Sequence, residues 1–162
     1  MKGSMIFIKG AALLLFALAM TNPHARAQNQ TPANVAPPVG WTDPATGLTW
    51  TTEYNESSVT WNQANDYCSN LRLGGFSDWR LPTIDELQGI YDPSIDIPGQ
   101  SSDGEVVIRH VKGNLKLSGN QWSSAYKKSW GVEWSWVFSF NDGSRFSAGT
   151  DNSHTSALCV RR

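Results

Sequence analysis

The chain has 162 residues, of which 40% are hydrophobic and 17% charged, with thirteen Lys and Arg against fourteen Asp and Glu. A net charge of −1 and a pI near 6.3 make nucleic acid a poor candidate partner. Eight tryptophans supply unusually large apolar rings, each able to bury about 150 Å² or more, so a sizeable core is available.

Lys2 and Lys9 flank the start of an apolar run from Ala11 to Met20, and Ala25-Arg26-Ala27 gives a small-x-small site. This is the pattern of a secretory signal peptide over residues 1–27. The run is about ten residues long, half of the ~20 needed to cross a bilayer, and no cysteine follows it to take a lipid anchor. With that leader removed, ten Lys and Arg face fourteen Asp and Glu, a net charge of −4. Residues 28–40, QNQTPANVAPPVG, have little to bury and read as a flexible tether. Residues 41–162 then form one domain of ordinary size, and all eight tryptophans (41, 50, 61, 79, 122, 130, 134 and 136) lie in it.

The segment Thr60 to Tyr91 carries two short amphipathic helices around a glycine turn. In the first, Trp61, Ala64, Cys68 and Leu71 fall on one face, with Ser58 or Thr60 as the cap and Gly74-Gly75 as the stop. In the second, Thr83 and Glu86 form a capping-box pattern, and Ile84, Leu87, Ile90 and Tyr91 line the buried side. Asp92 to Gly104 follows as a polar loop punctuated by Pro93, Pro98 and Gly99. Alternating residues in VVIRHVKGNLKLSG predict a hairpin about Lys112-Gly113-Asn114. Strands are expected over Trp122 to Tyr126 and Glu133 to Phe140, with Trp134 and Trp136 on the same face. Asn141-Asp142-Gly143 is a strong turn returning the chain through Arg145 to Ala148, and Ala157 to Arg161 makes the last strand. Two short helices cannot make a core alone, so the expected class is α+β, with the helices packed on antiparallel sheets and hairpins.

From Thr42 to Arg162 the chain resembles the C-terminal domain family of the Legionella collagen-like adhesin, within the C-type-lectin-like superfamily. The resemblance rests on DPATGLTW, WNQANDYCSNLRLGGFSDWRLPTIDEL, QWSSA and LCVRR in that order. It implies a lectin-like fold with a long loop region and a disulfide from Cys68 on the first helix to Cys159 on the last strand. Two cysteines in an exported chain also read as a disulfide on their own account, and neither has a His near it in sequence to support a reactive thiol. Trp50, Trp61, Trp79, Arg80, Thr83, Glu86 and Trp122 are read as structural.

Sugar-binding lectins of this superfamily hold calcium through Glu-Pro-Asn or Gln-Pro-Asp in the long loop and Trp-Asn-Asp on the next strand. Here Asp96, Asp103 and Glu105 occur in the loop, but Pro93 and Pro98 do not sit between such ligands, and Trp122 is followed by Ser123 and Ser124. No metal or other cofactor is expected. His110 and His154 are the mature chain's two histidines, and no nucleophile-elbow sequence accompanies Ser124 or Ser153, so no enzyme is expected. The superfamily's formylglycine-generating enzymes work through reactive cysteines, which a disulfide would consume.

Charge is segregated along the chain. Residues 28–108 hold Arg72 and Arg80 against eleven acids, while 109–145 hold Arg109, Lys112, Lys116, Lys127, Lys128 and Arg145 against Glu133 and Asp142. Trp130, Trp134 and Trp136 fall in the same basic stretch, and cations beside aromatic rings suit anionic glycans. The plain alternative is a solvated sheet edge guarded by lysines. The expectation is therefore an exported binding module for a glycan or a surface protein, periplasmic or extracellular, with no membrane span once the leader is gone. The family's characterised adhesin binds sulfated glycosaminoglycans as a trimer, but this chain has no G-x-y repeats, which leaves its oligomeric state open. Two further readings are a protein-binding display domain, given the Trp, Ser, Asn and Gly content of Trp130 to Thr155, and a structural envelope component.

Overall fold

A computed structural model describes residues 39–55, 58–100 and 105–162. The leader at 1–27, most of the tether and Asp103 lie outside the described residues. Among the described residues two α-helices and eight strands follow in order: β1 (Trp41–Thr42), β2 (Thr49–Trp50), α1 (Trp61–Asn70), α2 (Ile84–Gly89), β3 (Ile97–Gln100), β4 (Val106–Arg109), β5 (Asn120–Ser129), β6 (Val132–Ser139), β7 (Arg145–Gly149) and β8 (Val160–Arg161). They form three small antiparallel sheets, ordered β1-β2-β8, β3-β4 and β5-β6-β7. The class is α+β.

Local chemistry sets both helix starts. Thr60 caps α1, its hydroxyl accepting from the Gln63 amide while the Gln63 side chain accepts from the Thr60 amide. Thr83 and Glu86 make the same reciprocal pair at α2, at 3.2 and 2.7 Å. The Glu86 carboxylate is also gripped by Arg80 through two bonds of 2.8 Å, which holds its pKa below the ordinary value and raises that of Arg80. Helix α1 stops at an extended Leu71 rather than at the glycines. Gly74-Gly75 instead form a separate turn closed by Leu73 and Phe76. A Cβ on Gly74 would sit 2.3 Å from the Val39 side chain, so Val39, at the end of the expected tether, is already packed into the domain.

Sheet β5-β6-β7 stands between two apolar clusters. Val137 joins Ala64, Cys68, Trp79 and Trp122 on the α1 side, and Phe138 joins Trp50, Leu87, Ile90 and Phe140 on the α2 side. The disulfide Cys68–Cys159, with Cα atoms 5.5 Å apart, ties α1 to the segment entering β8. Closing a loop with a sequence separation of 91 restricts the unfolded chain by about 4 to 5 kcal/mol in the chain-entropy view.

One strand pairing departs from expectation. Val106–Arg109 pairs with Ile97–Gln100, not with residues 115–118, and Lys112–Asn114 is a 3-10 turn. Gly113 adopts φ 77 there, and a Cβ on it would lie 2.1 Å from the Trp41 ring, so the turn is packed too tightly to serve as a free hairpin tip.

Candidate functional site

The outer half of β6 keeps the two-residue alternation of a one-sided strand: Trp134 and Trp136 are half-buried while Ser135 and Val137 are buried. The two indoles meet edge to face with centroids 6.1 Å apart. Register decides what flanks them. Trp134 faces Lys127 on β5 and Gly149 on β7, and Trp136 faces Ser147 on β7. Beside Trp136 the β5 register shifts between Trp122 and Tyr126. Small residues on β7 therefore leave the rings partly exposed, and the Lys127 ammonium lies 5.4 Å from the Trp134 centroid. The arrangement offers an apolar shelf for a sugar ring and a cation for its acidic substituent.

The same hairpin ends in Trp130-Gly131, both with positive φ, 53 and 79. Trp130 is 100% exposed and Val132 61% exposed. Holding a bulky side chain in the left-handed region and in water at once earns nothing for the fold.

The six cations of the basic stretch do not assemble into one patch. Arg109 is only 2% exposed, so it is no part of an open surface, which corrects its grouping with the others. Lys112 donates to the Gly89 carbonyl at the end of α2. Lys116 pairs with Glu53 at 3.0 Å, Lys128 with Glu133 at 2.5 Å and Arg145 with Asp85 at 2.9 Å. The Lys128 contact lowers the pKa of Glu133 and raises its own. Among the described residues, Lys127 alone of the five exposed or half-exposed cations is left to its aromatic partner.

Of the residues read as structural, Trp50, Trp79 and Trp122 are buried and Trp61 is half-buried. The Trp122 indole N–H donates to the Val59 carbonyl and that of Trp61 to the Ser123 carbonyl, both at 2.8 Å. Tyr126, read from sequence only as the end of a strand, tilts against Trp61 with centroids 5.0 Å apart and so braces the middle of β5 on α1. His110 places Nδ1 3.2 Å from both the Ile95 carbonyl and Asp96. No cluster of three metal-ligating side chains occurs among the described residues.

A family model for the Lcl C-terminal domain matches residues 40–161. The chain belongs to the Lcl C-terminal domain family. The match runs from β1 to β8 and includes both cysteines and the whole β5-β6-β7 sheet. A comparison with curated proteins finds no match. No helix among the described residues is long and apolar enough to cross a membrane.

Proposed function

We propose that this Lcl C-terminal domain is an exported, non-enzymatic, adhesin-like module that recognises an anionic glycan on the open face of β5-β6-β7. The observation that carries the reading is the half-exposed Trp134–Trp136 pair with Lys127 over Trp134. Stacking on an indole and a charge-assisted contact to a sulfate or carboxylate are the two interactions an acidic sugar chain requires. Export is supported by the disulfide and by the leader pattern at residues 1–27. A non-catalytic role is supported by the fate of the reactive groups: both cysteines are joined, and His110 is turned to Ile95 and Asp96.

Retention on immobilised heparin tests the reading. Lys127→Ala should elute at lower salt than the wild type with a weaker salt dependence, because exposed charges are screened over ~8 Å at physiological ionic strength. Arg72→Ala, on the acidic side of the chain, should elute unchanged. Equal retention of wild type and Lys127→Ala at low salt would sink the assignment.

The exposure of Trp130 favours a second reading, a protein ligand, since exposed Trp is enriched among residues that dominate protein interfaces. A glycan array on the oxidised domain separates the two: retention of sulfated or uronic-acid glycans supports the first, and a blank array supports the second.

A further inference from the structure

Strand β7 is an edge of the sheet that carries the Trp134–Trp136 shelf, and its bonding pattern points to a partner. The Ser139 N–H donates to the Ser144 carbonyl at one end of the β6-β7 ladder, and the Thr150 N–H to the Glu133 carbonyl at the other. The register between them is unbroken, so bonded and open pairs alternate. Phe146 and Ala148 therefore bond inward to β6, while the N–H and C=O groups of Arg145, Ser147 and Gly149 face away from it. Among the described residues only the Gly149 carbonyl has a partner on that side, the Asn152 amide at 3.0 Å, and a carbonyl can accept twice. Arg145, Phe146, Ser147 and Gly149 are all exposed. The strand has neither the proline nor the bulge that often blunts such an edge.

The edge is complementary to itself. An antiparallel partner centred on Ser147 sets Ser147 against Ser147, Arg145 against Gly149 and Phe146 against Ala148 of a second copy. The outward groups of Arg145, Ser147 and Gly149 then meet as bonded pairs, so the new ladder agrees in parity with the old one. Each large side chain falls opposite a small one. Charge agrees as well: Asp151 Oδ1 lies 2.8 Å from where a Cβ on Gly149 would be, the place that Arg145 of the second copy would face. Among the described residues Asp151 has no ion pair. Arg145 has Asp85 at 2.9 Å, a largely exposed carboxylate, and such a contact is weak enough to be exchanged or shared.

We propose that two copies of the domain pair antiparallel through β7, about a two-fold axis normal to the sheet at Ser147, joining their sheets into one. The consequence rests on the glycan reading above. Trp136 faces Ser147, so the Trp136 rings of both copies stand on one face, three strand spacings or roughly 14 Å apart, and a single acidic sugar chain can engage both shelves. Five residues a side is far below the ~20–30 of a standard interface, so the pairing is weak in free solution. A glycan polymer that holds both copies strengthens it.

Sedimentation equilibrium of the mature, oxidised chain without glycan, from micromolar to millimolar protein, tests the pairing. The average mass should rise toward twice the monomer and no further, because a two-fold contact closes on itself. Ser147→Pro should stay monomeric with its denaturant midpoint unchanged, since the proline removes an N–H that β6 does not use. Asp151→Ala should weaken the association a few-fold. A monomeric wild type, a mass beyond the dimer, or a Ser147→Pro variant that associates like wild type overturns the pairing. Should Ser147→Pro fail to fold, amide exchange decides: the wild-type Ser147 amide must gain protection as concentration rises while Phe146 stays protected throughout, and a Ser147 amide that exchanges freely at every concentration overturns it. Long heparin should bind Ser147→Pro about tenfold more weakly than wild type, while a heparin disaccharide binds both alike. Equal binding of the polymer overturns the joint platform. Lys127→Ala should weaken heparin binding and leave the dimer intact, which separates a failure of the glycan reading from a failure of the pairing.

Discussion

The two halves of the β5-β6 hairpin are built from similar residues and treated in opposite ways. At its base Trp122, Val137 and Phe138 are fully buried, because apolar clusters cover the sheet on both sides. Toward its tip Trp134 and Trp136 are half-covered, Tyr126 and Val132 are exposed, and Trp130 is bare. Aromatic content alone therefore says nothing about role. What separates the halves is pattern: consecutive buried residues at the base, and beyond it alternation on β6 from Trp134 to Val137 beside a mostly exposed β5.

The comparison breaks most visibly at the base. Trp122→Ala should cost about 3 to 5 kcal/mol, from lost transfer energy and the cavity left behind, seen as a large fall in denaturant midpoint. A loss of under a kilocalorie would mean that the base is not the anchor. Removing the strap has the next largest effect: Cys68→Ala with Cys159→Ala should lower stability by about 2 to 5 kcal/mol. Mass spectrometry of unreduced digests should show a single Cys68–Cys159 cross-linked pair, and two free thiols in exported material would contradict the fold described.

Toward the tip the sign of the trade reverses. Trp134→Ala should weaken heparin-oligosaccharide binding about tenfold, equivalent to ~1.4 kcal/mol, while its unfolding midpoint stays within about 0.5 kcal/mol of wild type. Loss of stability without loss of binding would make Trp134 a core residue.

Glu86→Ala sharpens the comparison from α2, which packs on this hairpin. It removes half a capping box and the Arg80 contact and should cost about 1 kcal/mol near neutral pH. Because the folded-state pKa of Glu86 lies below its ordinary value, that contribution is present above about 4.5 and is lost as pH falls through the folded value. Wild type and variant should therefore converge in acid melts. The smallest effect is expected for Trp130→Gly, which relieves a positive φ and exposes less apolar surface, so its melting temperature should equal or slightly exceed that of wild type.

Much of this frame is legible in the sequence because it is local. Thr83 with Glu86 announces the second helix within four residues, Ser58 or Thr60 marks the start of the first, where the structure selects Thr60, and Asn141-Asp142-Gly143 announces the β6-β7 hairpin. The shared face of Trp134 and Trp136 follows from period two. What escapes is non-local. Pro98 and Gly99 disguise β3 as loop, yet an edge strand tolerates both, and its pairing displaces the hairpin that alternation suggested about Gly113. The cationic stretch looks continuous in sequence, but Glu53 and Asp85 arrive from the acidic half to neutralise Lys116 and Arg145. No spacing rule announces a partner sixty residues away.

Indole N–H resonances of the eight tryptophans give the most direct test of the central claim, that the open half of the hairpin is the binding face. Titration of the oxidised domain with a heparin oligosaccharide should move the Trp134 and Trp136 signals in a saturable way and leave buried Trp50 and Trp122 in place. Saturable shifts confined to other tryptophans, or none at concentrations that saturate retention on heparin, would contradict it.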